Sequence, residues 1–202
     1  MIIVVDYGMG NLLSVSRKIS KITNKVKISS DPLDIINADK IILPGVGHFA
    51  NGVKKIKEYN LWDVLNNEVL IKKKPVLGIC LGMQLMSKFS EEGNEQGFGW
   101  IDGKVKLFKS DNIRLKVPQM GWNTITQKKP SLLLNKVDDK SEFYFVHSYY
   151  LDSNNPNEIL ATTDYIKKFT SAIERDNIFG TQFHPEKSHT IGEKLLTNFI
   201  NL

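Results

Sequence analysis

The sequence predicts an α/β fold, namely an open and mostly parallel sheet with helices on both faces and antiparallel additions in its second half. Apolar runs alternate with amphipathic segments throughout the first half, which is typical of βαβ units. One of these runs contains Val76, Leu77 and Ile79, and has the continuous apolar character of a strand buried on both faces. After about Ser90 the apolar runs become short and are separated by turn residues, which favours antiparallel strands.

Four strands are predicted in the first half, and helices are predicted between them. The strands are expected at residues 2–6, 26–29, 40–43 and 76–79, and the helices at 12–23, 35–36, 50–57, 61–72 and after Gly82. Asn11 is interpreted as the N-cap of the first helix. The Gly8-Met9-Gly10 segment lacks the third glycine of a dinucleotide-binding loop, so no nucleotide site is predicted there.

The second half is predicted to begin with a polar loop and to end with a helix. The loop covers residues 91–97, and the closing helix covers residues 191–201. Between them, strands are expected at 104–108, 122–126, 142–147, 159–163, 170–175 and 178–183.

Composition limits the class of protein. The 202 residues, 41% of them hydrophobic, suit a single domain over 1–202 with an ample core. The net charge is +5, but the lysines are scattered and no nucleic-acid motif accompanies them, so a solvated surface is predicted. There is no run of ~20 apolar residues and no signal-peptide pattern at the N-terminus. The one cysteine cannot form an internal disulfide, which agrees with a reducing cytoplasm. Charge, apolar runs and cysteine count together therefore lead us to expect a cytoplasmic protein that binds neither membrane nor nucleic acid.

The pentapeptide Gly78-Ile79-Cys80-Leu81-Gly82 has the pattern of a nucleophile elbow, a sharp turn between a buried strand and a helix. At such a turn the helix N-terminus would favour the thiolate form of Cys80, and the N–H of Leu81 could stabilise an oxyanion. The alternative is a buried structural cysteine, because free cysteine is among the most buried residue types.

A cysteine nucleophile needs a base, and His184 is the best candidate of the four histidines. It follows an apolar strand, and Glu186, two residues on, can lie on the same side and orient the imidazole. The alternative is a surface histidine at the end of a strand. A metal site at His184, Glu186 and His189 would lack a further ligand, so neither metal nor cofactor is predicted.

These two motifs together resemble those of the class I, or triad, glutamine amidotransferases. The segments at residues 6–11, 44–47, 118–123, 145–150 and 184–188 are similar to one branch of that family, the glutaminase subunits of histidine biosynthesis. The similarity extends over nearly the whole chain. It implies hydrolysis of L-glutamine to glutamate and ammonia, with the ammonia channelled to a separate (β/α)₈-barrel synthase subunit in a heterodimer.

The resemblance also implies roles for individual residues. Cys80 would be the nucleophile, His184 the general base and acid, and Glu186 the residue that orients it. The implied oxyanion residues are Leu81, Gly45, Val46 and Gly47. The implied glutamine-binding residues are Gln84, Glu91, His147, Ser148 and Tyr149. The implied partner interface contains Asn11, Gln119, Met120, Trp122 and Lys187.

One position departs from the family pattern, and other functions stay open. Gln119 stands where the family usually has histidine, which bears on the surface facing the partner. Similar glutaminases serve synthases that aminate sugars for surface polysaccharides. Two further alternatives are a stand-alone cysteine hydrolase or peptidase and a non-catalytic regulatory subunit.

Overall fold

The computed structural model describes residues 1–110 and 115–202. The strands are β1 Ile2–Val5, β2 Val26–Ser29, β3 Lys40–Gly45, β4 Val76–Cys80, β5 Ser87–Ser90, β6 Glu95–Gln96, β7 Ile101–Leu107, β8 Gln119–Thr124, β9 Thr126–Gln127, β10 Glu142–His147, β11 Tyr149–Ser153, β12 Ile159–Asp164, β13 Lys168–Arg175 and β14 Ile178–Thr181. The α-helices are α1 Leu12–Ser20, α2 Pro32–Ile36, α3 Phe49–Glu58, α4 Trp62–Asn66, α5 Leu81–Leu85 and α6 His189–Asn201. A π-helical turn, Asn67–Ile71, extends α4, and single 3₁₀ turns lie at Pro156–Glu158 and Pro185–Lys187.

Most of the strands form one mixed sheet, in the order β2-β1-β3-β4-β14-β13-β11-β7-β5-β6, with β12 also paired to β13 and to β9. The first five strands in this order are parallel, the pairs β14–β13, β13–β11, β11–β7 and β5–β6 are antiparallel, and β5 is parallel to β7. The predicted fold class, a mostly parallel sheet with antiparallel strands added later, is therefore confirmed. The strand β4 lies between β3 and β14, so both of its edges are paired.

The two faces of the sheet carry two separate apolar cores because strand side chains alternate. Ile2 and Val4 pack on the side of α1 and α6, whereas Ile3 and Val5 pack on the side of α2, α3 and α4. Helices thus cover both faces. No helix in the described ranges is long and apolar enough to cross a membrane.

Three details of the second half differ from the prediction. The strand β14 was expected to be antiparallel, but it is parallel to β4, with Ile178 opposite Val76. The strands β8 and β10 form a separate antiparallel ribbon outside the main sheet. Strands β5, β6, β9 and β11 were not predicted. Their pairing partners are remote in sequence or they are only two residues long, so local pattern carries little signal for them.

The first helix is shorter than predicted, because α1 ends at Ser20 rather than near Thr23. Asn11 occupies the N-cap position, but its side chain makes no capping hydrogen bond. The expected capping interaction is therefore wrong, and the Asn11 side chain is available for other contacts.

Candidate active site

The predicted sharp turn is present at the end of β4. Cys80 has φ +54° and ψ −109°, a strained backbone conformation for a residue with a side chain, and α5 begins at the next residue. A Cβ atom at Gly82 would overlap the Leu43 carbonyl group in β3, and one at Gly78 would lie 2.7 Å from the Met83 amide nitrogen. Because glycine has no side chain, Gly82 allows α5 to approach β3, and Gly78 allows β4 to approach α5.

The sulfur of Cys80 lies at the wall of a cavity of about 420 Å³. The side chain is 7% exposed. Its Sγ accepts a hydrogen bond from Gln182 Nε2 at 3.6 Å and lies 4.0 Å from the Val146 carbonyl oxygen. The sulfur is therefore shielded from bulk water but can be reached from the cavity.

His184 is held against Glu186 at the start of the turn Pro185–Lys187. Its Nδ1 lies 2.8 Å from Glu186 Oε1. Its backbone amide donates a hydrogen bond to the Tyr144 carbonyl oxygen, and its carbonyl oxygen accepts one from the Ser188 hydroxyl. Burial lowers the pKa of His184, but its interactions with Cys80 and with Glu186 outweigh burial, so the pKa is raised. Its Nε2 is buried without a hydrogen-bond partner in the described part of the chain. The imidazole is thus hydrogen-bonded to Glu186 and lies close enough to Cys80 for the sulfur to raise its pKa, although its Nε2 makes no hydrogen bond to the sulfur.

His147 is the second buried histidine beside the cavity, and its charge state differs from that of His184. Burial, aided by the proximity of His184, lowers the pKa of His147 to about 4, although its hydrogen bond to Tyr149 opposes this. The ring is therefore neutral near pH 7. Because the Tyr149 carbonyl oxygen at 2.7 Å can only accept, the proton lies on Nδ1.

The segment 44–47 is only partly the loop that the sequence predicts. Pro44 and Gly45 belong to β3, and Gly45 pairs with Cys80 of β4. The Tyr7 hydroxyl donates to the Pro44 carbonyl oxygen at 2.7 Å, and burial raises the pKa of this hydroxyl strongly. Val46 and Gly47, by contrast, line the cavity, and Gly47 has φ +111°. The part of the segment that lies outside the strand thus begins at Val46, just after the residues held by β3 and Tyr7.

Four of the five residues that the resemblance assigns to glutamine binding line the cavity, but Glu91 does not. The lining consists of Val46, Gly47, Cys80, Leu81, Gln84, Glu92, Val146, His147, Ser148 and Tyr149. The carboxylate of Glu91 accepts instead from the Leu107 amide at 3.0 Å. Its neighbour Glu92 stands at the cavity, where one oxygen accepts from the Phe49 amide at 2.8 Å. Two adjacent glutamates are equivalent in the sequence, and only the path of the chain after β5 distinguishes them.

Gln84 and Gln182 form a buried, hydrogen-bonded pair, and the sequence analysis identified only Gln84. Gln84 Nε2 donates to the Tyr149 carbonyl oxygen at 3.0 Å and to Gln182 Oε1 at 2.9 Å. Gln182 was not selected from the sequence. The available signal was its position two residues before His184, on the same side of an extended segment.

The five residues assigned to a partner interface differ in exposure. Met120 is 66% exposed, and Trp122 is 45% exposed with its ring stacked on His189 at 4.9 Å. The Lys187 ammonium lies 5.5 Å from the centre of the Tyr144 ring. Gln119 is buried, 3% exposed, opposite His147 in the β8–β10 ribbon. Asn11 is half-buried and lines a small pocket together with His184 and Glu186.

The family model described as glutamine amidotransferase class-I matches residues 3–202. The chain is also similar to a solved structure of a glutamine amidotransferase, with a TM-score of 0.77 at 16% identity, covering 100% of this chain and 98% of the other. At that identity the likeness concerns the fold alone. The chain belongs to the class I glutamine amidotransferases.

Two relatives define the branch of this family. The chain is 47% identical to imidazole glycerol phosphate synthase subunit HisH 2 of Pseudomonas aeruginosa, over 100% of both chains. It is 48% identical to the protein of the same description from Methanococcus maripaludis, over 99% of this chain and 98% of the other. Within the family, the chain therefore falls among the HisH subunits of imidazole glycerol phosphate synthase.

Proposed function

We propose that this chain is the glutaminase subunit of an imidazole glycerol phosphate synthase in histidine biosynthesis, and that it hydrolyses L-glutamine and passes the ammonia to a (β/α)₈-barrel synthase subunit. The observation that carries the proposal is the pairing of His184 with Glu186 on one side and with the strained Cys80 on the other. A buried imidazole with a raised pKa beside a thiol is the arrangement that activates a cysteine nucleophile.

Glutamine would enter the cavity with its side-chain carboxamide at Cys80. The carboxylate of Glu92 faces the same cavity and could bind the α-ammonium group of the substrate. Burial is the main cause of the raised pKa of Tyr149, and the negative charges of Glu92 and Glu91 raise it further. Because the cavity combines one anionic wall with amide and hydroxyl groups, it suits a small zwitterion better than an extended peptide.

In the first step the Cys80 thiolate attacks the carboxamide carbon and a C–S bond forms. The resulting oxyanion would be bound by the Leu81 N–H and by a second N–H from residues 45–47, each worth about 3 kcal/mol of barrier. The hydrogen bond from the Tyr7 hydroxyl holds the Pro44 carbonyl group in place, so the peptide groups that can rotate are those after Gly45. Rotation there would present the second donor, and we expect partner binding to drive it.

In the second step His184 protonates the leaving nitrogen, the C–N bond breaks, and ammonia departs from a γ-glutamyl thioester. His184 then takes a proton from water, the resulting hydroxide attacks the thioester, and glutamate leaves as Cys80 is restored. Glu186 would hold the same tautomer through both steps by accepting from Nδ1. No redox step is involved.

Ammonia would leave towards the exposed ridge formed by Met120, Trp122 and Lys187. Large exposed apolar side chains next to a cation are typical of a surface that binds another protein. Met120 and Trp122 lie on β8 of the β8–β10 ribbon, whereas Lys187 ends the turn Pro185–Lys187, and the ribbon also carries His147 at the cavity. One element thus links the cavity to the proposed interface.

The test is glutamate release by the chain alone and with the barrel synthase encoded in the same genome. We expect weak glutaminase activity alone and much stronger activity in the complex. High unstimulated hydrolysis of peptides with none of glutamine would favour a stand-alone hydrolase and overturn the proposal. Absence of glutamine hydrolysis under both conditions would favour a non-catalytic regulatory subunit.

A second candidate is the glutaminase partner of a sugar-amidating synthase. One observation favours it: Gln119 stands where the family usually has histidine. Stimulation of glutamine hydrolysis by a sugar-amidating synthase, and not by the histidine-pathway barrel, would establish this candidate. The reverse result would exclude it.

A further inference from the structure

The sulfur of Cys80 has a neighbour for which the mechanism above gives no role. Gln182 is completely buried just after β14, and its Nε2 donates to Cys80 Sγ at 3.6 Å. Burial disfavours a thiolate more than a thiol because the anion loses more hydration. A donor fixed at the sulfur offsets part of that cost, and it does so for the charged form in particular.

The direction in which the Gln182 amide points is set by a second amide. Gln84 Nε2 lies 3.0 Å from the Tyr149 carbonyl oxygen, which can only accept, so the Gln84 nitrogen must face it. The same nitrogen donates to Gln182 Oε1 at 2.9 Å. With its oxygen occupied by Gln84, Gln182 can present only its NH₂ group to the sulfur.

Both ends of this chain of hydrogen bonds rest on paired strands. The Tyr149 carbonyl belongs to β11, which pairs with β7, and it also accepts from His147 Nδ1. The Gln182 backbone amide donates to the Ser171 carbonyl oxygen of β13 at 2.9 Å. The donor is therefore held by the sheet, which limits the freedom of the Gln182 side chain to turn away from Cys80.

We propose that Gln182 is a positioning residue that favours the thiolate of Cys80, and that Gln84 acts through it by fixing the orientation of its amide. This inference rests on the proposed role of Cys80 as the nucleophile. Gln84 would then have a positioning role in the substrate-free protein, in addition to lining the cavity.

Other titratable groups also face the sulfur. His184 and Tyr7 lie close enough for electrostatic interaction with it, and His147, Glu92 and Tyr149 line the same cavity. All of these groups are kept in the variants below. A difference between the variants and the natural chain therefore reports on the amides.

The experiment measures the rate of alkylation of Cys80 by iodoacetamide against pH in the full chain. The reaction is unambiguous because the chain has one cysteine. Gln182→Leu removes the donor at similar volume and should move the alkylation midpoint up by about one pH unit, so that the rate at pH values below both midpoints falls about tenfold. Gln182→Glu replaces the donor by a negative charge and should move the midpoint further in the same direction.

Asn177→Leu is the matched control. Asn177 is a partly buried side-chain amide with two bonds to backbone carbonyls at the opposite end of β4, so its loss should lower stability without moving the midpoint. Should Gln182→Leu fail to fold, Gln84→Leu is used, since it keeps Gln182 but frees its amide to turn. It should give a smaller shift in the same direction.

A folded Gln182→Leu variant, or in its place Gln84→Leu, with an unchanged midpoint would overturn the inference. This outcome is distinct from failure of the proposed function. Loss of glutamine hydrolysis in Cys80→Ala tests the nucleophile, whereas the alkylation midpoint tests only what surrounds the sulfur.

Discussion

Two buried histidines lie beside one cysteine, and their surroundings drive their pKa values in opposite directions. His147 has a carbonyl oxygen as its partner, so burial dominates and its pKa falls to about 4. His184 has a carboxylate and a sulfur as partners, and these outweigh burial and raise its pKa. A neutral and a cationic imidazole can thus coexist in one site, because the pKa of each histidine depends on the groups in contact with its own ring.

The pairing of His184 with the sulfur can be measured directly. In the natural chain, the imidazole resonances of His184 should titrate well above the usual pKa of about 6.5. In Cys80→Ala the titration midpoint should fall, because the interaction with the sulfur is lost and burial remains. NMR titration of both chains decides the matter. An equal midpoint in the two would mean that the sulfur does not interact with the imidazole.

His147 predicts a pH dependence of stability. Its folded pKa of about 4 lies below the unfolded value, so the unfolded chain binds more protons between these two values. Stability should therefore fall as pH drops from about 6.5 to 4, by on the order of 3 kcal/mol in total. His147→Asn, which keeps a donor for the Tyr149 carbonyl, should flatten this slope in urea unfolding. His48→Gln, at an exposed imidazole, is the control, and an equal slope in His147→Asn would contradict the assignment.

At the scale of elements, the turn between β4 and α5 brings the chemistry together. The turn forces Cys80 to a positive φ, and glycines at 78 and 82 allow β4, α5 and β3 to approach closely. The antiparallel strands then supply the other half of the site, since His147 ends β10 and His184 follows β14. Strain at Cys80 persists because both edges of β4 are paired.

This strain predicts an unusual order of stability. Cys80→Gly should be more stable than Cys80→Ala by about 1–3 kcal/mol, because glycine tolerates the positive φ and alanine does not. At Ser87, a buried strand position, the same comparison should favour alanine, since glycine is costly in ordinary strands. Chemical denaturation of the four variants tests this. If alanine were favoured at position 80 as well, the turn would not be strained.

The same scale shows what a sequence can and cannot predict. The turn was predictable because its glycine requirement is local, and His184 with Glu186 was predictable because residues two apart share a side of an extended segment. The parallel direction of β14 and the separate β8–β10 ribbon depend on contacts between remote segments. The position of Gln182 beside the sulfur, and of Glu92 rather than Glu91 at the cavity, depends on the same remote packing. The assignment of one domain over residues 1–202 stays a prediction.

At the scale of the whole molecule, the proposed function requires a surface that transmits the presence of a partner to the cavity. The β8–β10 ribbon is suited to this, because Trp122 lies exposed on it while Gln119 and His147 are buried at its other end. A partner that moves the ribbon would move the cavity wall.

Trp122→Ala should therefore impair coupling more than folding. We expect a loss of at least tenfold in partner-stimulated glutaminase activity, with a thermal midpoint close to that of the natural chain, since the ring is partly exposed. Leu33→Ala removes a similarly exposed apolar side chain from α2 and should change neither property. Unaltered binding and stimulation of Trp122→Ala would remove this residue from the interface.

The most direct test of the account is the turnover of the complex of Cys80→Ala with its synthase, supplied with either glutamine or an ammonium salt. We predict that glutamine-dependent turnover is abolished while ammonia-dependent turnover is kept, because only the glutaminase step needs the sulfur. Glutamine-dependent turnover at the rate of the natural complex would show that Cys80 is not the nucleophile.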